Sequence, residues 1–437
     1  MSYSIVTNLF SSVQKDKLAF SKSIKRGIIS SMTKADLIII GGGASGMMAA
    51  IVASRLKKSV VLVEKNTELG RKILATGSGR CNLTNRFTVP ERYHGADQNF
   101  ISTILKKFDQ FAAISFFENL GIVLKEENLG RIFPITDEAK TIVNALIFEL
   151  EKNHVKILLN DQARRIEKDN NSFLVTLQSG QIIETTKIVM ATGGQASPHL
   201  GTSGDAYYWL KNFGHNITPL YPALVPLEIK ESWIKDLQGL KIEAKLFTTV
   251  GGKLAYEKTG DVLFTHFGLS GPAAMAQAGA IENNMDKDVK IHLDLFPEET
   301  TKSLDEKIAK IIETNGAKQI KNSLAGIISS NLAPAILSLL KIDPDKKSAE
   351  ISKLDRIKIS QILKNIELTI SGIRPFKEAQ VTHGGVDVDE FNPQTLESKK
   401  VPGLFVTGEL LNVDGDSGGF NLQWAWSTGF IAGTNID

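Results

Sequence analysis

Four apolar residues at 37–40 lead into Gly41, Gly42, Gly43, Ala44, Ser45 and Gly46. Positions 47–56 then carry helix-forming residues, and 59–64 make a second short apolar segment. A buried strand, a glycine turn, a helix and another strand predict a βαβ unit. Farther on, 101–120 has helical character. Thr136 is predicted to cap a helix ahead of Asp137 and Glu138, because acidic groups favour the positive helix end. Residues 155–190 alternate as short strands with a turn at Ser179-Gly180, closing in an apolar strand at 187–190.

Past about residue 220 the pattern shifts to a small β unit, with a hairpin predicted at Gly251-Gly252 between 245–250 and 253–256. From 301 to 365 apolar positions recur every three to four residues among many lysines, as at Leu304, Ile308 and Ile311, then Leu332, Ile336 and Leu339. That spacing predicts helices. The glycine-rich strand-and-loop pattern returns near 376. One nucleotide-binding domain over 32–220 and 376–437 is therefore expected, interrupted by an insertion over 221–375. Residues 1–31 are rich in Ser and Lys, with Asp16 as their one acidic residue, and lack the apolar core of a secretory signal. They read as an N-terminal extension ahead of Met32.

Composition narrows the class. A chain of 437 residues has room for two or three domains. With 42% hydrophobic and 23% charged residues it is globular, and 51 Lys+Arg against 48 Asp+Glu leaves +3. So weak a field gives no support for nucleic-acid binding. No run approaches the roughly 18 apolar residues of a membrane span. A single cysteine excludes an internal disulfide and a CxxC metal site, so no metal is expected and the cytoplasm is the expected compartment.

The chemistry concentrates in four glycine-rich segments. In the first, Gly41, Gly43 and Gly46 spell GxGxxG between a strand and a helix. Gly41 serves the tight turn, Gly43 lets the backbone approach a pyrophosphate, and Gly46 lets helix and strand pack closely. The N–H groups around Ala44 and Ser45 meet the phosphate charge. Glu64, 18 residues past Gly46, stands where a carboxylate accepts hydrogen bonds from ribose hydroxyls, with Lys65 beside it. The second segment, 70–85, contributes N–H groups and cations through Arg71, Gly79, Arg80 and Asn82, suited to an extended phosphate-bearing ligand. The third, 188–194, ends a buried strand in Ala191, Thr192, Gly193 and Gly194; Ala163 is placed with it in the cofactor-binding set. In the fourth, 403–433, a strand ends at Gly408-Glu409, and Gly418-Gly419 opens a helix through Asn421 and Leu422. A helix start aimed at the pyrimidine end of an isoalloxazine favours the negative charge that reduction places there, which points to FAD.

The order of these segments resembles the large FAD-binding fold of the glutathione-reductase type. More narrowly, GRKILATGSGRCNLTN (70–85), LFTHFGLSGPA (263–273), VTHGGV (381–386) and GELLNVDGDSGGFNLQWAWSTG (408–429) resemble one bacterial flavoprotein family. Its members are known as NAD(P)/FAD-dependent oxidoreductases, aminoacetone oxidases and 3-dehydro-bile-acid reductases. The resemblance runs from about 35 to 433 and implies an α/β fold. A Rossmann-like FAD-binding domain would carry an inserted β-barrel (about 221–300 and 366–375) and a helical subdomain or cap (about 301–365). It further implies an oxidoreductase exchanging hydride between flavin N5 and a small organic substrate, with NAD(P)H-linked reduction of an activated C=C in first place. The alternatives are O2-dependent oxidation of an amine or aminoketone and an FAD-dependent RNA-modifying role. Asn412 stands where an acidic residue is usual in that family.

No second GxGxxG occurs, since 268–272 breaks the spacing and puts Pro272 where an N–H would be wanted. NADH or NADPH would therefore dock transiently in the substrate cleft. Candidates for proton handling are Cys81, whose thiol the neighbouring Arg80 could acidify, His266 and His383. Against these stand blander roles: packing for Cys81, and structural hydrogen bonding for the two histidines. Trp424 and Trp426 are expected to pack the last helix.

Overall fold

The computed structural model describes residues 32–282 and 284–436. The expected extension over 1–31 lies outside them. Chain contacts divide the protein into two compact units, each described by itself. The first runs up to Gly194 and adds Leu200–Thr218 and the segment from Gly385 onward; the second is Gln195–His199 with Pro219–Gly384.

The first unit is built on β1 (Met32–Ile40), α1 (Ala44–Arg55), β2 (Val60–Val63), α2 (Ala139–Lys152), β3 (Lys156–Leu158), β4 (Ala163–Asp169), β5 (Ser172–Leu177), β6 (Ile182–Met190), β7 (Leu404–Val406) and α3 (Phe420–Thr434). The strands form one sheet in the order β3-β2-β1-β6-β5-β4, with β7 also on β6. Pairing of β1 with β2 and β6 is parallel, in register from Leu37↔Val60 to Ile40↔Val63 and from Leu37↔Lys187 to Ile40↔Met190. Leu37, Ile38 and Ile39 are fully buried, which is why this stretch reads as a continuous apolar run rather than an alternating one. The second edge of β6 is shared: residues 182–185 pair antiparallel with β5, and 188–190 pair parallel with β7. The C-terminal glycine-rich segment thereby enters the same sheet as the first.

Helices α1 and α3 pack in close contact, because a Cβ added at Gly429 would lie 2.4 Å from the Ser45 carbonyl oxygen. Trp426 is fully buried, edge-on to Phe117 and donating to the Leu83 carbonyl; Trp424, also buried, donates to the Gly408 carbonyl. Both serve packing, as their apolar bodies and single N–H donors require.

One local expectation is refined and one is corrected. Residues 101–120 hold two helices, Gln98–Lys107 and Gln110–Asn119. The second begins because the Asp109 carboxylate accepts the Ala112 N–H as a fresh N-cap. Thr136 is not the N-cap: its hydroxyl bonds Thr141 and accepts the Glu138 N–H at 3.4 Å, and α2 begins at Ala139 with Glu138 as its N-cap. Asp137 turns away at φ 55° to meet Arg80 and Lys125.

In the second unit a closed barrel takes its strands in the order Leu227–Ile229, Gly268–Ser270, Lys253–Phe264, Lys241–Val250, Val289–Asp294 and Ile366–Ile373. The hairpin turns at Gly251 and Gly252, both with positive φ (55° and 75°), the conformation of a two-residue β-turn. Helices Thr301–Thr314, Ile320–Leu324, Leu332–Leu339 and Lys353–Lys364 bury Leu304, Ile308, Leu332 and Ile336 in one core with Leu246 and Leu368. Ile311 is only partly buried and Leu339 is exposed, so the helical stripe is narrower than its sequence period suggests.

Candidate active site

The turn after β1 is fixed by backbone packing. Gly41 has φ 109°, and a Cβ there would stand 2.4 Å from the Ala191 carbonyl oxygen. At Gly46 a Cβ would come within 1.9 Å of the Gly41 carbonyl oxygen. In front of Gly43, by contrast, a Cβ would meet nothing within 4 Å. No side chain caps α1 and its first turn holds no acidic residue, so the N–H groups of Ala44, Ser45 and Gly46 have no side-chain partner at the positive helix end. That is the constitution of an anion site.

Glu64 closes this turn. It is 8% exposed; one carboxylate oxygen accepts the Gly42 N–H at 2.7 Å, and the other accepts the Asn66 backbone N–H at 2.8 Å and its side-chain amide at 2.6 Å. The Asn66 side chain in turn accepts from Arg71 at 3.0 Å. Lys65 reaches away to Ser203 and Asp205. Ala163 is buried at the start of β4, and the Ala191 N–H bonds the Ile40 carbonyl at 2.9 Å. Thr192, Gly193 and Gly194 continue from β6; the Gly194 carbonyl accepts the Gly204 N–H.

The loop over 70–85 docks on this framework through the Gly70 N–H to the Gly42 carbonyl. It contains a left-handed run at Gly77 (φ 57°), Ser78 (φ 59°) and, past Gly79, Cys81 (φ 63°). Of the two roles weighed for Cys81, a thiol acidified by Arg80 and a packing residue, the structure favours packing. Cys81 is fully buried, and burial pushes its thiol up to about 12. Arg80 is engaged by Glu127 and Asp137 and lies over the Phe133 ring.

Asn82 sits where the loop meets α3. Its Oδ1 is buried and without a hydrogen-bond partner, the only such side-chain atom among the described residues. A buried acceptor left unmatched costs about 1–3 kcal/mol, so the atom is arranged for a donor that arrives from outside the chain. Gly419, the N-cap of α3 at φ 103°, lies against it: a Cβ there would be 2.5 Å from the Thr84 carbonyl oxygen and 3.0 Å from Asn82 Oδ1. No side chain caps α3 either. The Gly418 carbonyl accepts from Asn85, and Thr84 donates to buried Gln423. The side-chain amide of Asn421 bonds both the N–H and the carbonyl of Gly415. The N–H groups of Asn421 and Leu422 lie in the first turn of α3. At the end of β7, Thr407 bonds Ser45, the Gly408 N–H bonds Thr428, and Glu409 is ion-paired with Lys72. Asn412 donates to the Gly95 carbonyl, a task for an amide that no carboxylate could perform.

The first unit therefore joins all four glycine-rich segments: Gly41 with Ala191, Ser45 with Thr407 and Gly429, and Asn82 with Gly419. Two uncapped helix starts and a lone buried acceptor match what FAD carries: a pyrophosphate, and a ring edge bearing carbonyls and an N–H. The residues fit the cofactor. Sequence reasoning missed Lys72, Asn85 and Thr84 with Gln423, because nothing local marks pairs as far apart as 339 positions, and it missed Asn66 beside Glu64.

His266 and His383 belong to the second unit. His383 ends the strand Val381–His383, opposite Tyr221, with the two rings stacked at 6.5 Å. His266 lies in a turn edge-on to Phe267, whose ring underlies the Arg374 guanidinium at 4.7 Å; Arg374 also holds Glu228 and Glu378.

Comparison with known proteins gives a concordant picture. The model of the HI0933-like protein Rossmann domain family matches residues 35–435. A 3-dehydro-bile acid delta(4,6)-reductase from Clostridium scindens is 35% identical over 399 residues, covering 90% of this chain and 97% of that protein. A ribosomal RNA dihydrouridine synthase from Escherichia coli is 32% identical over 407 residues, covering 93% and 98%. A solved 3-ketosteroid delta1-dehydrogenase from Sterolibacterium denitrificans, in complex with 1,4-androstadiene-3,17-dione, shares the fold. It is 13% identical, with a TM-score of 0.51 over 92% of this chain and 99% of that one.

Proposed function

Because the chain belongs to the HI0933-like Rossmann family of FAD-dependent oxidoreductases, we propose that it uses reduced nicotinamide to saturate a C=C bond conjugated to a carbonyl in a small, planar organic substrate. The observation that carries this reading is the end-to-end relationship to a reductase acting on such a bond, together with a cradle suited to FAD. Bound FAD supplies hydride transfer from its N5 position.

The chain's own residues bind and orient. The first turn of α1 holds the pyrophosphate, and Glu64, held in place by the N–H groups of Gly42 and Asn66, accepts the ribose hydroxyls. The start of α3 offsets negative charge at the pyrimidine end. The proton that completes the saturated product does not come from Cys81, whose buried thiol holds its proton too tightly. We place the activity in the cytoplasm, where a lone cysteine stays reduced.

A second reading has its own support. Dihydrouridine is also the product of adding two hydrogens to a C=C beside a carbonyl, so the RNA-modifying relative favours a uracil base in ribosomal RNA as substrate. One experiment separates them. The purified protein, reduced anaerobically with NADH or NADPH until its flavin bleaches, is mixed with a 3-oxo-4-ene steroid or with unmodified ribosomal RNA, and the return of flavin absorbance is timed. Rapid reoxidation by the steroid supports the first reading, and by RNA alone the second. Failure of both nicotinamides to bleach the flavin, with bleaching by an aminoketone, would replace both with the oxidase alternative.

A further inference from the structure

We propose that Asn82 is a cofactor-positioning residue whose Oδ1 accepts the N3–H of the flavin, while the uncapped first turn of α3 donates to the adjoining ring carbonyl. The inference rests on the FAD reading above and deepens it by assigning a residue to one atom of the ring.

The argument is one of matching donors to acceptors. The pyrimidine edge of an isoalloxazine presents a carbonyl, an N–H and a second carbonyl in a row. A helix start answers carbonyls with N–H donors but has nothing to offer the N–H between them. An acceptor must come from elsewhere. Asn82 Oδ1 is the one buried side-chain acceptor among the described residues with no partner, and it lies 3.0 Å from where a Cβ on Gly419 would stand, beside the start of α3. Its backbone is held by the left-handed run through Gly77, Ser78 and Cys81, and a Cβ at Gly77 would approach the Asn82 nitrogen to 3.0 Å. Any side chain at position 419 would strike Asn82 Oδ1 and the Thr84 carbonyl, so the glycine keeps this acceptor clear.

The test pairs a change in the protein with a change in the ligand. Apoprotein is titrated with FAD and with 3-methyl-FAD, which lacks the N3–H, and binding is followed by flavin fluorescence. The wild-type protein is expected to prefer FAD by about tenfold, the worth of one ordinary hydrogen bond. In Asn82→Ala, which also leaves room for the methyl group, the preference should fall below about twofold; in Asn82→Asp, which keeps an acceptor, it should persist. A general loss of structure would weaken both flavins alike and leave their ratio unchanged. An undiminished preference in Asn82→Ala, or none in the wild type, overturns the assignment while FAD binding itself stands. Apoprotein that takes up neither flavin overturns the FAD reading and this inference together. Should Asn82→Ala not fold, wild-type protein loaded with 15N-labelled FAD decides: an N3 proton shielded from exchange supports the bond, and one exchanging as in free FAD refutes it.

Discussion

Gly43→Ala separates the needs of the fold from those of the ligand. At Gly41 and Gly46 the backbone itself forbids a side chain. The methyl of Gly46→Ala would start 1.9 Å from the Gly41 carbonyl oxygen. Ordinary contacts lie near 3.5–4.0 Å, so α1 must retreat by roughly 1.5 Å. Gly41 cannot yield, being wedged against Ala191. Overpacking of this kind costs about 1–3 kcal/mol, more than the roughly 1 kcal/mol that alanine gains over glycine in a helix. At Gly43 the situation reverses. Its φ of −81° suits any residue, and the new methyl meets no protein atom within 4 Å. Apoprotein stability should stay within about 1 kcal/mol of wild type, since the entropy gained by removing a glycine and the weaker N-cap nearly cancel. The methyl does occupy the space where a pyrophosphate approaches the helix start. Losing one to two charge-assisted hydrogen bonds, at roughly 1.5–3 kcal/mol each, lowers FAD affinity about tenfold or more. Urea unfolding of the apoprotein gives the first quantity and fluorescence titration with FAD the second. If Gly43→Ala bound FAD as tightly as wild type, the phosphate would lie elsewhere; if it unfolded the apoprotein, the open space would be misread.

Other consequences are as direct. Glu64→Ala should weaken FAD binding by at least about tenfold, through lost ribose contacts and a loosened Gly42, and unchanged flavin content in the purified variant would contradict the ribose role. Native protein should react with a thiol reagent at pH 8 orders of magnitude more slowly than urea-unfolded protein, because Cys81 is buried with its thiol pushed up to about 12; Cys81→Ala should keep its activity, and prompt labelling of the native state would restore Cys81 as a reactive group. Acid should destabilise the first unit through a buried chain in which Ser398 bonds His215 and His215 bonds Glu390. Burial holds the His215 pKa below 6.5, so as pH falls through 6.5 the unfolded chain gains a proton the native histidine refuses, and stability declines. Burial works against Glu390, but hydrogen bonds from Lys400 and His215 outweigh it and hold its pKa below 4.5, which adds a second loss below that pH. Urea midpoints at pH 7.5 and 5.5 measure the first step. His215→Gln should flatten it, and an equally steep fall in that variant would place the cause elsewhere.

The βαβ core was legible because strand burial, helix start and glycine spacing are local and mutually reinforcing: residues 37–46 announce both the turn and its ligand. Where sequence reasoning failed, two local rules competed or a distant partner decided. Thr136 and Asp137 are both good caps, yet Arg80 and Lys125 draw Asp137 out of the helix start. Arg80 beside Cys81 in sequence suggests an activated thiol, but the guanidinium points to carboxylates 47 and 57 positions away. Asn82 could be named as a cofactor contact from its segment, whereas its lone acceptor is visible only once Gly419 is packed beside it.

The contact between Gly429 and Ser45 has a consequence for synthesis. The helix over 44–55 is almost wholly apolar and buries ten of its residues, yet the surface that covers it near Ser45 is translated 384 positions later. At about 5–20 residues per second, that oily cylinder waits on the order of tens of seconds for its mate. The face of the helix near Ser45 is therefore completed only when the last helix has been made, although its other faces meet the earlier strands and the helix over 139–152.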